Sequence, residues 1–211
     1  SARGESMRIA IDGPAASGKS SLGQALARAF GLRFVETGRM YRAVALAMER
    51  GLPLSEIRIE VNASGRLLLN GEDVTDALHT EAMDQASSRV ATQADVRARL
   101  VELQRTLAAQ GDVVMEGRDI GTVVLPDADV KIFLQASTRE RALRRIRQRR
   151  GGDLAQVMQE LDRRDQRDSE RAIGPLKAAP DATIIDTDQK PLQEVISAAI
   201  NLVRDRFNDV V

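Results

Sequence analysis

The sequence predicts a three-layer α/β fold, in which helices flank a five-stranded parallel sheet, and two observations carry this prediction. Short apolar runs alternate with longer segments of helical apolar spacing along the 211 residues, a pattern typical of parallel sheets covered on both faces. Between the first strand and the first helix, residues 13–20 fit the phosphate-binding-loop (P-loop) pattern G-x-x-x-x-G-K-[ST]. A small antiparallel β insertion and a helical lid complete the predicted architecture.

Each element follows from its local pattern. The first helix begins near Lys19 because Leu22, Leu26 and Phe30 recur at helical spacing, and the second helix ends at Gly51. The strands of the parallel sheet are predicted at residues 8–12, 33–36, 113–115, 130–134 and 183–185. The helices are predicted at residues 19–30, 39–50, 81–91, 94–110, 138–150 and 192–207.

The pattern changes between residues 51 and 79. Residues 57–61 alternate with period two, residues 62–65 are turn formers, residues 66–70 resume as strand, and Asn70-Gly71 precedes another short strand at 72–74. The chain is therefore predicted as one domain over residues 7–211. Its parts are a core of residues 7–50, 80–146 and 172–211, the insertion at 51–79, and the lid at 147–171.

Composition bounds the function. Thirty-one basic residues balance thirty-one acidic ones, no cysteine is present, and no apolar run is long enough to span a bilayer. Disulfides, thiol catalysis and cysteine-based zinc sites are excluded. We therefore expect a cytoplasmic protein that binds neither nucleic acid nor membrane. Residues 1–6 are expected to be a disordered tag or extension.

The P-loop pattern carries specific chemistry. Its glycines let successive backbone N–H groups wrap a phosphate, Lys19 adds a point charge on the outer phosphates, and the Ser20 hydroxyl can ligate Mg²⁺. The helix that follows offers its unpaired N–H groups to the same anion. The predicted ATP-binding residues of this loop are Gly13, Pro14, Ala15, Ala16, Ser17, Gly18, Lys19, Ser20 and Ser21. A chance match in a glycine-rich loop is the alternative.

An arginine-rich segment leaves three interpretations open. Residues 139–171 hold eleven arginines and seven acids around Gly151-Gly152. They can form a solvated helical face with i,i+4 pairs such as Arg164 and Asp168, an RNA-binding patch, or a lid that closes on phosphates. The interspersed acids and the lack of stacking aromatics weigh against RNA.

The P-loop alone does not separate a kinase from a nucleotide switch. No N-K-x-D motif for guanine is present, and a P-loop, a separate insertion and an arginine-rich segment together favour a small-molecule kinase. Four further stretches identify the family that the chain resembles. These stretches are residues 37–42, 69–74, 116–124 and 163–171. Together with residues 11–20, they closely resemble segments of bacterial cytidylate kinases and follow in the same order as in that family. The resemblance runs from Met7 nearly to the end of the chain.

This resemblance implies transfer of a phosphoryl group from ATP to CMP or dCMP with Mg²⁺, in pyrimidine nucleotide metabolism, by an enzyme that we expect to be monomeric. It implies catalytic roles for Lys19, Arg118, Arg164, Arg167 and Arg171, and places Arg147 over adenine. It implies acceptor contacts from Thr37, Tyr41, Arg42, Ser88, Arg97, Arg118, Asp119, Arg164 and Asp168.

Within that set, Ser88 and Arg97 match donors to cytosine O2 and N3, and Asp119 matches the acceptor for its amino group. Ser20 would bind Mg²⁺ directly and Glu116, where the family usually has Asp, through water. The family also usually has an extra helical stretch before the hairpin, so the insertion of this chain is expected to be smaller.

Each of these residues also has a structural interpretation. Thr37 can cap a helix with Tyr41 in the core, residues 118–119 can form a surface ion pair, and Ser88 and Arg97 can be surface positions. His79, the only histidine, is expected on the surface, away from these motifs. The alternative functions are a kinase for UMP, AMP or shikimate, a nucleotide switch, and an RNA-binding P-loop protein.

Overall fold

A computed structural model describes residues 6–208, and its central element is a five-stranded parallel sheet. The strands lie in the order β2-β6-β1-β7-β8, and all four pairings are parallel. The strands are β1 (Arg8–Asp12), β2 (Arg33–Glu36), β6 (Val113–Gly117), β7 (Val130–Gln135) and β8 (Thr183–Asp186). The predicted fold class is confirmed.

Seven α-helices are present among residues 6–208, six of them at predicted positions. They are α1 (Lys19–Phe30), α2 (Thr37–Glu49), α3 (Glu81–Val90), α4 (Ala94–Ala108), α5 (Thr138–Arg149), α6 (Leu154–Glu170) and α7 (Leu192–Asn208). The seventh, α6, occupies most of the segment that was predicted as a helical lid, and the Asp153 side chain caps it by accepting from Gln156 N–H at 2.9 Å. Among residues 6–208, no helix is long and apolar enough to cross a bilayer.

The two faces of the sheet pack on different helices because successive strand residues point to opposite faces. On one face Ile9, Ile11 and Val114 pack with the apolar stripes of α1 and α7. On the other face Ala10 and Met115 pack with α2, α3 and α4. Helices α5 and α6, referred to below as the lid helices although the predicted lid covers only residues 147–171, close a third, smaller apolar cluster over Ala15 of the P-loop. The P-loop therefore lies between the sheet and the lid helices.

The insertion forms a separate three-stranded antiparallel sheet. Its strands are β3 (Ile59–Val61), β4 (Leu67–Leu69) and β5 (Glu72–Asp73), in that order. A 3₁₀ turn at Leu54–Glu56 joins it to the preceding helix. The buried Leu67 and Leu69 pack on the same apolar cluster as α2 and α4, so the insertion shares the main core. The proposed ranges of core, insertion and lid stay a prediction. The predicted extension at residues 1–6 lies, except for Ser6, outside the described residues.

Candidate active site

The N-terminus of α1 is the anion-binding centre of the molecule. Gly18 precedes the helix with a positive φ of 98° and has no side chain to cap it, so the first N–H groups remain available to a phosphate. A Cβ at Gly13 would lie 2.5 Å from the carbonyl oxygen of Leu134, which leaves room only for glycine. The Lys19 ammonium donates to the carbonyl of Pro14 at 2.8 Å. The loop is therefore held in a wrapped conformation by its own backbone.

In the free protein the surroundings of Lys19 lower the pKa of its ammonium group. Burial, and after it the charge of Arg118, lower the pKa of Lys19 to about 7, although Glu116 opposes this. The Glu116 carboxylate lies 3.9 Å from the Lys19 ammonium, and burial raises the pKa of Glu116. Because phosphate oxygens would stabilise the charged ammonium, nucleotide binding and protonation of Lys19 favour each other.

Four polar side chains lie beside the P-loop, near the carboxyl ends of β2 and β6. The Ser20 hydroxyl donates to Glu36, and Glu36 forms an ion pair with Arg39. Glu36 and Glu116 are register partners in the sheet. The Oε2 atom of Glu116 is buried and has no hydrogen-bond partner among residues 6–208. The sequence analysis omitted Glu36, although it is the last residue of a strand at the ligand-binding edge of a parallel sheet.

A second carboxylate that the sequence analysis omitted is Asp12, the last residue of β1. It accepts the backbone N–H groups of Ile120 and Gly121, each at 2.8 Å. Burial raises the pKa of Asp12 to about 7, and these two hydrogen bonds oppose the shift. Asp12 therefore fixes the short π-helical turn Ile120–Val124, which directly follows Arg118 and Asp119, against the strand that leads into the P-loop.

A cleft of about 520 Å³ opens between the P-loop and the lid helices. The predicted residues that line it together are Ala15, Ala16, Gly18, Lys19, Ser20, Ser21, Arg42, Glu116, Arg118 and Arg164. The structure adds charged residues that the sequence analysis did not assign, and these are Glu36, Arg39, Glu81, Asp84, Arg145 and Arg149.

His79 also lines this cleft. The prediction that it is exposed is correct, and the prediction that it lies away from the motifs is wrong. The 3₁₀ turn Thr75–Leu78 ends immediately before it and brings it to the phosphate side. Partial burial, then the nearby Arg39 and Arg42, lower the pKa of His79.

Next to this cleft, a small cavity of about 30 Å³ lies among the predicted cytosine-reading residues. Arg97 and Asp119 form a buried ion pair, and Arg97 stacks over Tyr41 at 5.6 Å from the ring centre. These side chains are core positions, 1–8% exposed, because α2, α4 and the end of β6 meet here. The structure therefore brings Tyr41, Arg97 and Asp119 together.

Asp168 of the lid helix α6 closes the same cavity. It accepts from the Ser88 hydroxyl at 2.7 Å and from Arg118 Nε at 3.2 Å, and Arg164 Nε lies 3.7 Å away. Thr37, at the start of α2, donates its hydroxyl to the Glu116 carbonyl at 2.8 Å. The predicted acceptor residues thus form one network, and most of its polar groups are paired with one another.

Three residues with predicted roles in ATP binding or phosphoryl transfer lie outside the phosphate cleft. Arg147 is largely exposed and faces Glu140 at 3.8 Å. Arg167 donates to Gln85 at 3.2 Å. Arg171 donates to the carbonyl of Gly174 at 2.7 Å and borders the small cavity rather than the phosphate cleft. Their predicted roles in ATP binding and phosphoryl transfer stay predictions.

Arg141 and Arg144 of α5, which the sequence analysis did not assign to the site, contact the P-loop backbone instead. Arg141 Nη1 donates to the Ala15 carbonyl at 3.2 Å, and Arg144 Nη1 to the Ser17 carbonyl at 3.4 Å. The sequence of this arginine-rich helix does not indicate which of its arginines face the P-loop, so these two contacts could not be predicted.

A cavity larger than this cleft lies away from these residues. It has a volume of about 640 Å³ and lies between the edge strand β2 and the hairpin turn at residues 62–65. It shares Gln24, Glu36 and Arg39 with the phosphate cleft. It contains neither the lysine of the P-loop nor any predicted acceptor residue, so the smaller cleft is the candidate active site.

Comparisons with known proteins show which family the chain belongs to. The family model described as "Cytidylate kinase" matches residues 9–205. A cytidylate kinase of Pelotomaculum thermopropionicum is 46% identical over 91% of this chain and 93% of its own length. One from Mycobacterium leprae is 45% identical over 96% and 97%. A shikimate kinase of Acinetobacter baumannii shares the fold, with a TM-score of 0.52 at 14% identity over 94% of this chain and 93% of that one. The chain belongs to the cytidylate kinase family.

Proposed function

We propose that this protein transfers the γ-phosphoryl group of ATP to CMP or dCMP, which yields ADP and CDP or dCDP. One observation carries the proposal beyond family membership. The phosphate cleft with Lys19 shares the lining residues Gly38, Arg118 and Arg164 with the small cavity of Ser88 and Asp119. A donor phosphate on the P-loop and an acceptor base in that cavity would therefore share the same arginines.

The chemistry requires alignment rather than a covalent intermediate. The acceptor phosphate is anionic at neutral pH, so the main barrier is repulsion between two polyanions. Lys19, Arg118 and Arg164 would neutralise the transferring phosphoryl group, and the paired lid helices would exclude water. Arg118 is suited to this role because it borders both cavities and keeps its charge, since the nearby Asp168 and Glu116 outweigh burial and raise its pKa.

The residues beside the P-loop fit a magnesium ion. Mg²⁺ is usually held by one or two carboxylates together with substrate phosphates, and Glu116 offers a buried oxygen without a hydrogen-bond partner. Because the Ser20 proton points to Glu36, the hydroxyl lone pairs remain available. We propose that Ser20 binds the metal directly and Glu116 through water. When bound, the metal would neutralise charge between the β- and γ-phosphates.

Base recognition would use the buried polar set. The Asp119 carboxylate suits the amino group of cytosine, and the Arg97 guanidinium and Ser88 hydroxyl suit its O2 and N3 acceptors. All three are at most 3% exposed. A wrong base would leave them unpaired in a dry pocket, and this penalty discriminates more strongly than shape alone. The monomeric state, the cytoplasmic location and the lack of nucleic-acid binding stay predictions.

Formation of ADP from Mg²⁺ and ATP tests the proposal against a panel of CMP, dCMP, UMP, AMP, GMP and shikimate. We expect strong turnover with CMP and dCMP alone. Comparable turnover with UMP would leave a kinase without the proposed base recognition. A lack of acceptor-dependent ADP would contradict the kinase function and leave nucleotide binding alone.

A further inference from the structure

The carboxylate of Asp84 lies among the arginines of the phosphate cleft. Arg42 donates to its Oδ1 twice, from Nε at 3.0 Å and from Nη2 at 2.6 Å. Arg145 Nη1 donates to its Oδ2 at 2.6 Å, and Arg164 Nη1 lies 3.5 Å from Oδ1. One carboxylate therefore engages three guanidinium groups.

These three arginines come from three different elements. Asp84 belongs to α3, whereas Arg42, Arg145 and Arg164 belong to α2, α5 and α6. Asp84 thus ties the core helices to the lid helices across the cleft. Although burial opposes ionisation, the charges of Arg42, Arg164 and Arg145 lower the pKa of Asp84 to about 2. The carboxylate is fully ionised at neutral pH.

Two of its partners, Arg42 and Arg164, are among the residues expected to contact the acceptor nucleotide, and in the phosphate cleft their guanidinium groups suit its phosphate. A carboxylate and a phosphate are bound by the same guanidinium N–H groups in the same planar geometry. The N–H groups of Arg42 that face Asp84 are therefore not available to a phosphate at the same time. The negative charge of Asp84 also repels a second anion in this low-dielectric cleft.

We propose that Asp84 is an internal competitor of the acceptor phosphate and thereby sets the affinity of the acceptor site. In the free protein it prevents three cationic side chains from repelling one another. When an acceptor binds, its phosphate displaces Asp84 from at least one arginine. This inference rests on the proposed function, because it concerns the phosphate subsite of that acceptor site.

Asp84→Asn tests the competition. The amide keeps the shape of the side chain and loses the charge. We measure dissociation constants for CMP and for inorganic phosphate by titration calorimetry, which requires no turnover. Both ligands should bind about ten- to a hundredfold more tightly, because a charge-assisted hydrogen bond no longer has to be given up. In phosphate-free buffer the Tm of the variant should fall, and added phosphate should restore it, since a ligand of the native state stabilises it.

Asp165→Asn is the matched control. Asp165, on α6, likewise pairs with an arginine of α5, because it accepts from Arg141 at 2.5 Å, but it does not line the cleft. The substitution Asp165→Asn removes the same charge. It should lower the Tm without increasing the affinity for CMP or phosphate. An equal increase in affinity in both variants would show that the effect comes from the change in net charge, and it would overturn the proposal.

Unchanged or weaker binding of both CMP and phosphate by folded Asp84→Asn would also overturn it. Asp84→Ser gives the same comparison if the amide variant does not fold. The phosphate titration separates this inference from the proposed function. If Asp84→Asn binds phosphate more tightly but the protein binds no CMP, the role of Asp84 as a competitor is supported and the proposed kinase function is contradicted.

Discussion

The donor and acceptor sides of the cleft are built in different ways. On the donor side the backbone forms the site, because Gly13 and Gly18 shape a loop whose N–H groups are free and whose lysine is held by the Pro14 carbonyl. On the acceptor side long charged side chains pair with one another and leave about 30 Å³ of open space, which is too little for a nucleobase. The donor site is therefore ready for its ligand, whereas the acceptor site must exchange internal partners for substrate.

The largest effect should come from the single lysine of the donor side. Lys19→Ala should lower kcat about a thousandfold, since one preorganised charge at the transferring group is worth about 10²–10³, while the protein stays folded. ADP formation with CMP and circular dichroism check this. Lys177→Ala, which removes an exposed lysine outside the cleft, should leave the rate unchanged. Near-normal turnover of Lys19→Ala would contradict the proposed donor site.

On the acceptor side, Asp119→Asn should lower kcat/KM for CMP about a hundredfold. The substitution removes the carboxylate that pairs with Arg97 and that would accept from the cytosine amino group. The rate with UMP should fall less, since an amide N–H can donate to the uracil carbonyl. The ratio of the two kcat/KM values is the measurement. Asp181→Asn breaks another pair, to Lys131 at 2.9 Å, outside both cavities and should not change this ratio. A parallel loss for CMP and UMP would exclude Asp119 from base recognition.

Gly13→Ala tests whether the donor loop depends on close backbone approach. The added Cβ would lie 2.5 Å from the Leu134 carbonyl oxygen and 2.9 Å from Ser17 Oγ, and such crowding costs about 1–3 kcal/mol. We expect a lower Tm and weaker ATP binding, with CMP binding retained. Gly111→Ala also has a positive φ but meets no atom within 4 Å, so it measures backbone strain without crowding. Equal effects in both variants would refute the role of close packing.

The smallest effect should be a pH dependence of donor binding. The pKa of Lys19 in the free protein is lowered to about 7, and a phosphate binds its protonated form. The affinity for ADP should therefore be full below pH 6 and fall about tenfold between pH 6 and 8, as the ammonium loses its proton. Arginine stays charged over this pH range, so Lys19→Arg should remove the part of the pH dependence that comes from the lysine. Identical profiles for the two proteins would show that Lys19 does not titrate there.

The same contrast explains what could be predicted from the sequence. The strands, six helices and the P-loop were predicted correctly because apolar periodicity and glycine positions act over a few residues. Asp12 and Glu36 were missed, although each ends a strand at the ligand edge of the sheet. Asp84 gave no local signal at all, because its three arginine partners lie on helices up to 80 residues away in the chain. Which arginines of α5 and α6 face the cleft is decided by helix packing rather than by composition.

A crystal structure with CMP and a non-hydrolysable ATP analogue is the most direct test of this contrast. The backbone of residues 13–20 should superpose on the free protein within about 1 Å, as in preorganised sites. On the acceptor side, Asp84 should have released Arg42 or Arg164, and Asp119 should contact the cytosine amino group. Cytosine bound outside the cavity of Ser88 and Asp119, or a P-loop that rearranges as much as the acceptor side, would contradict the account.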